Sequence, residues 1–128
     1  MVGEILLISG DWRTRAFLLA ELQEAGYEVV ALPSVDIALS ALASGRLSPR
    51  LVLLDTQPAV TRTQAEQVLY LLEENVPLVL VVGAYEVRAF APLRKRVAAF
   101  LTRPLRVEEV VHHVRRLYPS HGRSPNPS

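Results

Sequence analysis

The chain has 128 residues, half of them apolar and 21% charged, with a formal net charge of +1. That is the size and make-up of one folded domain with its own core, and it excludes coiled-coil and disordered classes for most of its length. There is no cysteine, which excludes disulfide frameworks, thiolate zinc sites and cysteine nucleophiles. No apolar run approaches the ~18 residues of a membrane span.

The N-terminus, Met-Val-Gly-Glu, lacks the basic region and cleavage site of a signal peptide, so a cytoplasmic protein is expected. Glu4–Ser9 then forms a short apolar run without alternation, which predicts a strand buried on both faces. Asp11 is placed to cap a helix over 12–25, with Phe17, Leu18, Leu22 and Ala25 at helical spacing and Gly26 as terminator. Tyr27–Leu32 reads as a second strand. Ser34 caps a helix through Ile37, Leu39, Ala41 and Leu42 that ends at Gly45. The clearest strand is Leu51–Leu54, ending on Asp55. A helix over 61–74 follows, with Ala65, Val68, Leu69 and Leu72 inward. Leu78–Val82 is the fourth strand, and a short helix is expected near 85–95. Val97–Leu101 is the fifth strand, stopped by Pro104. Residues 107–117 form the last helix, through Val110, Val111, Val114 and Leu117. The predicted domain spans 1–118. Residues 119–128, rich in Pro, Ser, Gly and Asn, are expected to be a flexible tail.

Five βα units imply an α/β, doubly wound parallel sheet of the flavodoxin-like order 2-1-3-4-5. In such sheets ligands and chemistry gather at the carboxyl ends of the strands. The residues there are Ser9, Gly10, Asp11, Asp55, Thr56, Gln57, Val82, Gly83, Thr102 and Arg103.

These segments resemble the receiver domain of two-component response regulators over residues 4–118. Ile5-Leu-Leu-Ile8 resembles its first strand, and Ala25-Gly26-Tyr27-Glu28-Val29 the approach to its second. Leu51-Val-Leu-Leu-Asp55 resembles the strand that ends on the phosphoacceptor. Val76-Pro77-Leu-Val-Leu-Val-Val82-Gly83 resembles the fourth strand, and Phe100-Leu-Thr-Arg103-Pro104-Leu105 the segment that carries a lysine before a cis-proline.

The resemblance implies Mg²⁺-dependent phosphoryl transfer to Asp55, a vestigial or working acceptor. Several positions depart from that pattern. Ser9 and Gly10 stand where the family holds its metal with an acidic pair. Mg²⁺ demands oxygen ligands in near-octahedral geometry, so no Mg²⁺ or other cofactor is expected. Asp11 lies one residue late and reads as the helix cap. Gln57 would supply a backbone carbonyl to the metal, but Pro58 comes one residue early and re-aims the loop. Val82 replaces the hydroxyl that bonds the phosphoryl oxygen. Phe100 occupies the switch-aromatic position without that trigger and reads as a permanently buried ring. Arg103 replaces the lysine and is expected to clamp Asp55 through two parallel bonds.

Trp12 reads as a lid over the vacant acids, a partner contact or a half-exposed helix start. His112 and His113 are adjacent on a helix, about 100° apart, and cannot share one metal. Residues 1–85 hold five Arg and ten acids, and residues 86–118 hold eight cations and three acids, or −5 against +5. Arg88, Arg94, Lys95, Arg96, Arg106, Arg115 and Arg116 therefore form an expected partner face. The partner is expected to be another signalling protein, or the chain itself, through the fourth helix, fifth strand and fifth helix. No membrane or direct nucleic-acid binding is expected.

Three functions follow. The first is an atypical, phosphorylation-independent receiver acting in signal transduction as a protein-interaction module, with no enzymatic activity. The second is a phosphoaccepting receiver using Asp55. The third is a small-molecule or nucleotide binder on the same fold. It lacks the Gly-x-Gly-x-x-Gly turn, and Gln57 stands where an aspartyl phosphatase needs a second acid.

Overall fold

The computed structural model describes residues 4–119; the expected tail, apart from Pro119, lies outside them. Five strands form one parallel sheet: β1 (Ile5–Ile8), β2 (Val29–Leu32), β3 (Leu51–Asp55), β4 (Leu78–Val82) and β5 (Ala99–Thr102). Their order is β2-β1-β3-β4-β5, the flavodoxin-like arrangement predicted from the βα rhythm. The helices are α1 (Trp12–Glu24), α2 (Val35–Ala43), α3 (Arg62–Leu71), α4 (Val87–Phe90) and α5 (Val107–Leu117).

β1, β3 and β4 are buried along their whole length, because helices cover both faces and leave no room for alternation. α1 and α5 pack Leu18, Leu22, Val110 and Val114 onto one face. α2, α3 and α4 pack Ala38, Ala65, Val68 and Phe90 onto the other. β1 and β3 run in register, with Ile8 beside Leu54, and β3 and β4 set Asp55 beside Val81. These registers bring Ser9, Asp55 and Val82 to one rim of the sheet.

Local chemistry moves several boundaries. Tyr27 does not belong to β2: its N–H returns to the Leu22 carbonyl at 3.1 Å and closes α1, while Gly26 turns the chain at φ 101°. The helix expected near 85–95 is a single α turn that continues as 3₁₀ turns over Ala91–Arg96. Pro92 lacks the N–H an α ladder needs and its ring crowds the carbonyl four residues back. β5 is shifted to Ala99–Thr102 and α3 is shorter than expected. Phe17 and Ile37 are not core residues. Leu18 with Leu22, and Val35 with Ala38 and Ala41, take the inward faces, leaving Phe17 57% and Ile37 49% exposed.

Candidate functional site

The carboxyl ends of β1, β3 and β5 meet at Asp55, which is completely buried together with Ser9. Burying a carboxylate is costly unless its oxygens are paired, and here three donors reach them. Arg103 Nη2 lies 2.6 Å from Oδ2. The Ser9 hydroxyl donates to the same oxygen at 2.8 Å. The Gln57 N–H donates to Oδ1 at 3.1 Å. The expected Arg103–Asp55 clamp therefore forms, but through one nitrogen and not as a two-bond fork. Ser9 shares Oδ2, and Nη2 also leans on the Thr14 hydroxyl at 3.4 Å.

Asp11 caps α1 by accepting from the Arg13 N–H at 3.2 Å, and Thr14 donates to its other oxygen at 2.8 Å. Arg103 Nη2 stands 4.0 Å from that oxygen. The Thr14 hydroxyl foremost holds the Asp11 carboxyl below the usual aspartate range; burial opposes it, and the Arg13 N–H and the Arg103 charge add to the lowering. Arg15 donates to the Ser9 carbonyl at 2.8 Å, so the turn between β1 and α1 is tied from both sides.

Gly10 decides what else this rim can hold. A Cβ at this position would lie 2.6 Å from Pro58 Cδ and 3.2 Å from the Gln57 carbonyl oxygen. That carbonyl accepts from the Gly10 N–H at 3.3 Å. The loop after β3 thus fills the space where the resemblance places an acid, and it spends on Gly10 the carbonyl that would face a metal. With Ser9 neutral and the Arg103 guanidinium on Asp55, this donor set does not fit Mg²⁺, which needs several free oxygens in octahedral array.

Beside this rim, Glu86 makes a contact set that sequence reasoning missed. Its Oε1 accepts from the Thr56 hydroxyl at 2.8 Å, the Gln57 side-chain amide at 3.0 Å and the Gly83 N–H at 3.0 Å. One carboxylate oxygen therefore pins the loop after β3 to the loop after β4. The readable signal was an acid three residues after a strand-end glycine: the Glu86 N–H returns to the Gly83 carbonyl at 2.9 Å, a turn that aims the side chain back over the sheet.

The remaining expected residues are spread out. Val82 is buried and has no donor to offer. Thr102 is exposed. Phe100 is only half-buried: one side packs on the α2–α4 core, and the Arg94 guanidinium covers the ring at 4.2 Å. It is not the fully enclosed ring expected, because β5 is the edge strand of the sheet. Trp12 is 64% exposed and cannot serve as a lid. His113 meets Arg116 at 3.0 Å. Among the described residues no cluster of three or more His, Asp or Glu is arranged to hold a metal.

Arg88, Arg94, Lys95, Arg96, Arg106, Arg115 and Arg116 are all exposed, and the Arg94 guanidinium also lies over the Phe100 ring. Arg96 lines a groove between α2 and α3, with Leu39, Glu66 and Tyr70, on the side of the sheet opposite α5. No helix among the described residues is long and apolar enough to cross a membrane.

The receiver domain of NtrX from Brucella abortus matches this structure with a TM-score of 0.73 at 20% identity, over 88% of this chain and 96% of that one. A response regulator receiver protein from Burkholderia phymatum matches with 0.72 at 17% identity, over 88% and 92%. The fold is that of the receiver domain. NtrX from Brucella abortus in complex with ADP also matches, with a TM-score of 0.72 at 21% identity over 91% of this chain. This chain spans about a quarter of that protein, 26% of its length. No protein-family model and no curated protein matches the sequence.

Proposed function

We propose that this chain is an atypical receiver: a non-enzymatic signalling module that works by protein–protein contact and not by phosphorylation of Asp55. The observation that carries the reading is the closure of Asp55. Its oxygens are taken by Arg103, Ser9 and the Gln57 N–H, and the space a metal acid would need at position 10 is filled by Pro58. Phosphoryl transfer relies on positioning and on charge stabilisation by a metal, and neither has an oxygen set here to hold it. A ligand also switches a protein only if it binds two states unequally. Val82 offers no hydroxyl, so phosphate on Asp55 would have little by which to tell them apart.

Contact with a signalling partner of acidic surface fits the excess of exposed Arg and Lys after residue 86, and such contact is salt-sensitive. The test is addition of beryllofluoride with Mg²⁺ while backbone amide resonances are followed. The proposal expects the amides of Gln57, Gly83 and Arg103 to stay in place. Saturable shifts at all three would instead establish a working phosphoacceptor, the second reading of the sequence.

A further inference from the structure

The outward face of α1 carries two large exposed aromatic rings between charged residues. Leu18 and Leu22 point into the core, yet on the opposite side Trp12 and Phe17 are 64% and 57% exposed, next to exposed Ala16 and Ala20. Both rings keep more than half of their surface exposed. The Arg13 guanidinium lies 5.5 Å from the Trp12 ring centre, extending the patch at its basic end.

The order of residues along this face says what fits it. Arg13, Phe17, Ala20 and Glu24 are spaced four, three and four apart, so they form one stripe along the helix. The stripe is symmetric about its midpoint in a particular sense. Reversed, it sets a cation against an anion and a large ring against a methyl group. We propose that α1 pairs with α1 of a second copy of this chain, antiparallel about a two-fold axis between residues 18 and 19. Arg13 of each protomer then faces Glu24 of the other, and Phe17 covers Ala20 of the other. A two-fold interface must be self-complementary, and this stripe meets that condition in both charge and size. Alanine opposite phenylalanine lets the helices approach closely, and Trp12 closes each end of the seam.

The area sets the strength. A helix of 13 residues is about 20 Å long, and one such face covers less than the ~800 Å² per partner of a standard interface. The dimer is therefore weak and concentration-dependent. The inference stands apart from the fate of Asp55, since no stripe residue touches it.

Sedimentation velocity on the full chain from micromolar to millimolar concentration tests it. The wild type is expected to pass from monomer to dimer. Arg13→Glu and Glu24→Arg each place like charges in both contacts and are expected to weaken association about tenfold. Mixed together, the two variants regain opposite charges at both contacts, and the mixture dimerises again. Phe17→Ser, which removes the ring without adding charge, is also expected to weaken association. All three positions are exposed, and far-UV circular dichroism checks that each variant is folded. A wild type that stays monomeric at millimolar concentration overturns the proposal. So does a dimer indifferent to Arg13→Glu but lost on Lys95→Glu with Arg115→Glu, which would put the interface on the β5 side.

Discussion

Asp55 and Arg103 form a pair whose two halves sit in different surroundings: the carboxylate is fully buried while the guanidinium side chain keeps 23% of its surface. Removing Arg103 strands a buried charge, so Arg103→Ala is expected to cost about 3 kcal/mol in urea unfolding, well above the ~0–1 kcal/mol of an exposed pair. Arg103→Ala made in an Asp55→Asn background should cost clearly less. At Asp11 the sign runs with pH. Its folded pKa is lowered, so its contribution is fully present above the ordinary aspartate value and is lost as pH falls through the folded one. Asp11→Asn keeps a cap acceptor but cannot titrate. Compared with that variant, the wild type should lose its small advantage below about pH 4, read from unfolding midpoints at successive pH values. At this scale sequence was informative about which residues stand at the rim and less so about their partners. The Arg103–Asp55 contact was legible from the positions of both residues, whereas its single-nitrogen geometry depended on Ser9 and Thr14, whose hydroxyls carry no pattern of their own.

Loops, more than strands, define the elements that close the rim. The loop after β3 is held from below by Gly10 and from above by Glu86. Gly10→Ala forces a methyl group against Pro58 and is expected to cost about 2 kcal/mol. Ser9→Asp with Gly10→Asp should fail to create a Mg²⁺ site, since the loop occupies the space the second acid needs. Titration of Trp12 fluorescence reads this, and a saturable sub-millimolar response would contradict the filled-site account. Glu86→Ala leaves the Thr56 hydroxyl, the Gln57 amide and the Gly83 N–H without their acceptor, an expected loss of about 2 kcal/mol. Hydrogen exchange at the Gly83 amide should rise with it. The five strands were legible because burial on both faces writes long runs of Leu, Ile and Val into a sequence. The extent of α4 was not, because a single proline redirects a helix whose apolar spacing is otherwise intact. Phe17 and Ile37 misled for a related reason: an apolar residue one position from the core stripe has the same composition but points away.

For the whole molecule, a receiver fold is built around a rim whose charges are already satisfied from within. Arg103 supplies the positive charge beside Asp55, Ser9 and the Gln57 N–H complete its shell, and Glu86 ties the neighbouring loops. The proposal that communication runs through the outer surfaces of the domain rests on this rim. Incubation with acetyl phosphate and Mg²⁺, followed by intact-mass spectrometry, tests this most directly. The account predicts an unchanged mass for the wild type. A gain of one phosphoryl group per chain that disappears in Asp55→Asn would contradict it.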